Sequence, residues 1–145
     1  MGQLTDLHDR FLTLLATAKA AAPAPGLRVY ETGEPVELPE FPCAYILTPL
    51  EEYETMDYMT GRSVVTFTIR VLTDPRKPLR ALLVIADVLI PVVDVWLRST
   101  HPAPIDQARR LNAQPVTPEF GELPARGMDF PIRLELAFRA VHPAP

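Results

Sequence analysis

Glu51, Glu52, Glu54 and Asp57 crowd into one segment, PLEEYETMDYMTG. Carboxylates at that density can hold a divalent cation or share a proton in acid–base chemistry. A divalent-ion site needs fixed geometry and usually a tight glycine turn, and this segment offers neither. Tyr53, Met56, Tyr58 and Met59 interleave with the acids, and aromatic and methionine side chains are favoured at protein interfaces. The segment therefore reads as a long loop, residues 49–62, that binds a partner. The plainer alternative is a solvated acidic loop.

Little else in the chain could do covalent chemistry. His8, His101 and His142 have no carboxylate or cysteine at ligand spacing. Cys43 follows Pro42 and opens an apolar run, which is the setting of a buried, inert thiol. The sequence contains no glycine-rich phosphate loop, no nucleophile elbow and no zinc-protease motif. No catalytic, cofactor-binding or metal-ligating residue is assigned, and the expected function is not enzymatic. A second polar set lies on the greasy segment PLRALLVIADVLIPVVDVWL, where Arg80, Asp87, Asp94 and Arg98 recur at spacings of seven and four. On a helix that spacing makes one narrow stripe. The stripe is either solvated or paired with charges of a neighbouring subunit, so these four residues are candidate subunit contacts.

The elements that must position these residues are legible from periodicity. Leu4, Leu7, Phe11, Leu14, Leu15 and Ala18 recur at three and four, predicting an amphipathic helix over 4–22 that Pro23, Pro25 and Gly26 end. Short strands are expected at Leu27 to Tyr30 and Cys43 to Thr48. The run from Ser63 to Thr73 alternates strictly, with Val65, Phe67, Ile69 and Val71 on one face and Thr66, Thr68 and Arg70 on the other. Asp129 to Val141 repeats the pattern through Phe130, Ile132, Leu134, Leu136 and Phe138. A weaker strand between Arg109 and Val116 would lie at an edge because of its prolines. The main helix is expected over 75–98, with Asp74 as its cap, Pro75 in its first turn and Pro91 kinking it. One of its apolar flanks is left over after packing on the sheet and the first helix, and a neighbouring subunit would cover it. The result is a single α+β domain: one antiparallel or mixed sheet of about four to five strands, packed by an N-terminal helix and one long apolar helix.

Composition agrees with a protein that works through its surfaces. A chain of 145 residues with 48% hydrophobic and 22% charged residues can bury a full core without a staple. A net charge of -4 and the lack of any Lys/Arg-rich run speak against nucleic-acid binding. Asp87 and Asp94 interrupt the apolar helix before it reaches bilayer length. The N-terminus carries acids where a secretory signal would carry bases. The expectation is a soluble protein, intracellular when made. The 17 prolines cluster between the periodic segments and stiffen the connections.

This order of segments resembles the tail terminator (tail-completion) proteins of long-tailed bacteriophages and gene transfer agents. The shared pattern is a short amphipathic helix, a Pro-led strand (FPCAYILTP), an extended loop, an alternating strand running into a helix near an Asp (VVTFTIRVLTDPRKPLRALLVIADVL), and two closing strands (RRLNAQPVT and MDFPIRLELAFRAV). The chain departs in its unusually apolar helix and its proline-rich stretch from His101 to Pro118. The resemblance implies a homo-oligomeric ring, usually a hexamer, that caps the tail-tube protein, ends its polymerisation and meets the head–tail connector. It implies a place in the virion tail or neck after a soluble stage in the host cytoplasm, with no cofactor, no membrane and no specific nucleic-acid contact. Glu51 to Met59 would then reach the tube or a neighbouring subunit. The competing readings are another head–tail joining protein, such as a connector or stopper, and a small ligand-binding or enzymatic α+β domain.

Overall fold

The strict alternation of SVVTFTIRVLT becomes the centre of a sheet. The computed structural model describes residues 3–21, 26–55, 61–99 and 105–138. They form, in chain order, α1 (Gln3–Ala21), β1 (Arg28–Tyr30), β2 (Cys43–Ile46), β3 (Leu50–Thr55), β4 (Gly61–Thr73), α2 (Leu79–Arg98), β5 (Ile105–Arg110), β6 (Gln114–Val116), β7 (Glu119–Phe120), β8 (Leu123–Pro124) and β9 (Arg126–Phe138). β4 and β9, each 13 residues long, pair antiparallel along their whole lengths, from Gly61 opposite Phe138 to Thr73 opposite Arg126. The outer edge of β4 carries β2 and then β3, and the outer edge of β9 carries β5 and β6. β1 adds to β2 as the parallel strand of the sheet.

The fold is thus the expected α+β class, with two helices on a mostly antiparallel mixed sheet. That sheet has seven strands, where four to five were expected, and a two-stranded hairpin of β7 and β8 lies apart from it. The additional strands are short, polar or interrupted by proline, so none carries a period that marks it. The region from Arg109 to Val116 divides into β5 and β6, and Pro131 explains the break. The Pro131 carbonyl accepts the Leu111 N–H at 2.9 Å, so its nitrogen faces the same edge of β9. That nitrogen has no hydrogen to donate, and the chain leaves the ladder there between the two strands.

One face of the sheet carries the helices. Val65, Phe67, Ile69 and Val71 of β4 and Phe130, Ile132, Leu134 and Leu136 of β9 are buried with Leu7, Phe11, Leu14, Leu15 and Ala18 of α1. From α2 they receive Leu82, Ile85, Ala86, Leu89 and Val93. α1 packs on α2, and the Phe11 ring sits 4.9 Å from Phe67 and 5.1 Å from Trp96.

The other face, read from sequence as polar, is also largely covered. Cys43, Tyr45 and Leu72 form a second cluster with Phe120 and Ala125. The β7–β8 hairpin turns at Gly121, whose φ of 66° suits the first position of a two-residue turn. Beside this cluster Arg70 faces Asp129 directly across the ladder. Their fork is bidentate, with Nε to Oδ1 at 2.7 Å and Nη2 to Oδ2 at 2.9 Å. Both side chains are mostly buried, and Arg133 and Glu135 pair farther along β9.

Two variants test this frame. A Cβ at Gly127 would meet the Leu72 side chain and come within 2.6 Å of the Val71 carbonyl oxygen. Gly127→Ala should therefore cost about 1–3 kcal/mol and lower the calorimetric midpoint by several degrees; an unchanged midpoint would refute the close approach of β9 to β4. Asp129→Ala leaves Arg70 as a largely buried, uncompensated charge and should cost on the order of 3 kcal/mol. Replacing both, as Arg70→Met with Asp129→Leu, should recover most of that loss. Equal losses in the single and double variants would contradict the pairing.

Candidate interaction surfaces

The acidic segment is not a loop through its length. Residues 50–55 form β3, with Leu50 opposite Thr66, Glu51 opposite Val65, Glu52 opposite Val64, Tyr53 opposite Ser63 and Glu54 opposite Arg62. This corrects the expectation of a loop over 49–62. Leu50 and Tyr53 do not alternate, so no apolar period marks the strand. Its order comes from backbone pairing with β4, which begins at Gly61 and so extends past its periodic core. Leu50, Glu51 and Glu52 are exposed. β3 pairs only with β4 among the described strands, and charges along such a free edge oppose indiscriminate strand addition. Met56, Asp57, Tyr58 and Met59 lie outside the described residues.

On α2 the four charged residues separate. Arg80, Asp87 and Arg98 are exposed, whereas Asp94 is half-buried and accepts a hydrogen bond from Arg110 Nε of β5 at 3.2 Å. Asp94 thus has a partner within its own chain. The outermost ridge consists of Leu79, Leu83, Asp87, Pro91 and Val95, all exposed and spaced by four. Leu79 is 53%, Leu83 42% and Val95 67% exposed, an apolar ridge broken only by Asp87. Pro91 sits on this outward side and removes the helical N–H partner of the Asp87 carbonyl.

At the N-terminal end of α2 the expected cap is replaced by a turn. The Asp74 carboxylate accepts the Arg76 backbone N–H at 2.9 Å and binds its guanidinium, and the Lys77 N–H reaches the Asp74 carbonyl. Those Arg76 hydrogen bonds hold the Asp74 carboxyl down at about 2. The helix starts at Leu79, after an extended Pro78, and not at residue 75. Pro78 restricts the residue before it to extended backbone, which postpones the first helical turn. The displaced turn walls an open groove of about 1170 Å³, together with Leu38 to Pro42, the start of α2 and Leu123–Pro124. Leu38 and Leu123, each at least half exposed, supply apolar surface, and Lys77 and Arg80 stand at the rim. Sequence reasoning missed this groove, because prolines distant in sequence build its walls. The run DPRKP was the only local sign.

The remaining candidates are structural. Cys43 is fully buried, and desolvation pushes its thiol up to about 12. The Tyr45 hydroxyl is buried beside the Arg70 guanidinium but in no well-aligned hydrogen bond. Desolvation raises it to about 12, against the pull of that guanidinium. A smaller opening between the helices, about 500 Å³, is lined by Arg10, Thr13, Leu14 and Trp96. No cluster of His, Cys, Asp or Glu suited to a metal ion occurs among the described residues, and no described helix is long and apolar enough to cross a membrane. No family model matches the sequence, and no curated protein matches it.

The buried thiol gives an alkaline signature. Its folded-state value lies above the unfolded value near 9. Its contribution to stability is therefore whole below pH 9 and is lost as pH rises toward 12. Cys43→Ala should flatten the fall in denaturation midpoint between pH 9 and pH 11, with the Tyr45 contribution remaining. Parallel curves for the two proteins would contradict a protonated, desolvated thiol.

Proposed function

We propose that the chain is a structural subunit that assembles with copies of itself into a ring, a hexamer, closing the end of a phage-type tail tube and offering a surface to the head connector. The observation that carries the self-assembly is the outward ridge of α2. Four of its five positions are apolar, on a helix whose opposite side is already committed to the core. An apolar ridge of this length is costly to leave in water, and a copy of the same chain is always available to cover it. Rings also require heterologous contacts that close, and this chain has distinct exposed surfaces on β3, on α2 and around the groove. The tail-tube assignment rests on the order of segments, which is similar to that of the tail terminators.

Light scattering coupled to size exclusion should show a hexamer, or a monomer that becomes hexameric when tail tubes are added. Leu83→Glu combined with Val95→Glu should leave the thermal midpoint within a few degrees of wild type, since both side chains are exposed in the monomer. The same variant should abolish the ring. A wild-type monomer indifferent to tail tubes would overturn this function.

A further inference from the structure

Glu51 and Glu52 of β3 flank the first half of β4, and the rim residues Lys77 and Arg80 follow its far end. β3 lies along residues 61–66 of β4, whereas the groove opens directly after Thr73, where the same strand ends. Glu51 and Glu52 pair with Val65 and Val64, so at about 3.3 Å per residue they stand roughly 26–30 Å along the strand from Thr73. The acids cannot reach the rim of their own chain. Neither Glu51 nor Glu52 makes an ion pair among the described residues, and neither do the Lys77 ammonium and the Arg80 guanidinium. Other charges near the groove are largely satisfied: Asp74 binds Arg76, Glu40 binds Arg28 at 3.3 Å, and Arg126 donates to the Lys77 carbonyl. Glu122 is exposed on the β7–β8 turn beyond Leu123.

We propose that the β3 edge of one copy docks in the α2-end groove of the next, with Glu51 and Glu52 against Lys77 and Arg80 and Leu50 against Leu38 and Leu123. The proposal rests on the ring reading and names the contact that would close the ring. Leu50 is 61% exposed, Leu38 50% and Leu123 53%, so both sides carry uncovered apolar surface beside opposite charge. A patch that complements a different patch on the same molecule gives a head-to-tail contact, the kind from which rings are built. Opposed charges of this sort fix register and partner choice, and their attraction falls with added salt.

The test uses full-length protein and two charge reversals. One carries Glu51→Lys and Glu52→Lys; the other carries Lys77→Glu and Arg80→Glu. Each alone sets like charges face to face and should raise the concentration for half-assembly by roughly tenfold or more. An equimolar mixture should assemble again in alternation, because each altered face then meets the oppositely altered face and each unaltered face meets an unaltered one. Such a ring closes only with an even number of copies. Rescue on mixing also shows that both variants are folded. Wild-type assembly that neither reversal disturbs would overturn the docking while leaving the ring reading intact. Loss in both variants without rescue, with unchanged thermal midpoints, would overturn it as well. A wild type that never self-associates, alone or on tail tubes, would remove both.

Discussion

The full-length pairing of β4 with β9 is the constraint on which the rest of the molecule depends. It holds residues 61–73 against 126–138 without a register shift, which assigns Val65, Phe67 and Ile69 to one face and Arg70 and Asp129 to the other. A slip by one residue would send Phe67, Ile69, Phe130 and Ile132 away from the helices and bring Arg70 and Asp129 into the core. Two features resist that slip. On the helix side there is a continuous apolar layer from both strands. On the opposite side, the Arg70–Asp129 fork fits only when those two residues are directly opposed.

Because the central pair is so long, its outer edges are more than one short strand can cover. Each edge is therefore shared: β2 and β3 divide one, β5 and β6 the other. The division on β9 falls at Pro131, which has no donor to offer. On β4 the chain continues from β2 into β3, with the Leu47 N–H bound to the Thr68 carbonyl between them. The acidic segment becomes ordered as an edge strand through this arrangement, despite having no apolar face of its own. Its charges then lie at the far end of the sheet from the groove around α2, and the polarity of the molecule follows from strand length.

Among the described residues, both faces of the sheet are largely covered. The Arg70–Asp129 fork is occupied in holding the sheet, and Cys43 is too desolvated to ionise near neutrality. The exposed apolar or unpaired charged surfaces include the α2 ridge, the β3 edge and the rim of the groove. On the proposed reading these surfaces are contacts between copies, and their chemical differences suit a directional assembly rather than a symmetric pair.

Both helices, the two long alternating strands and nearly all of the buried layer between them were legible in the sequence, because each carries a period of 3.6 or 2 that burial of one face imposes locally. The α+β class follows from those elements alone. Tertiary structure decided what has no local period. It made a strand of Leu50–Thr55 because β4 offered an edge. It turned Asp94 toward Arg110, and it covered Cys43 and Tyr45 with a hairpin brought from Phe120. It also gathered Leu38, Lys77 and Leu123 around one groove. Those outcomes depend on which distant segments become neighbours, and pairing energies between segments far apart in the chain leave no regular trace along it.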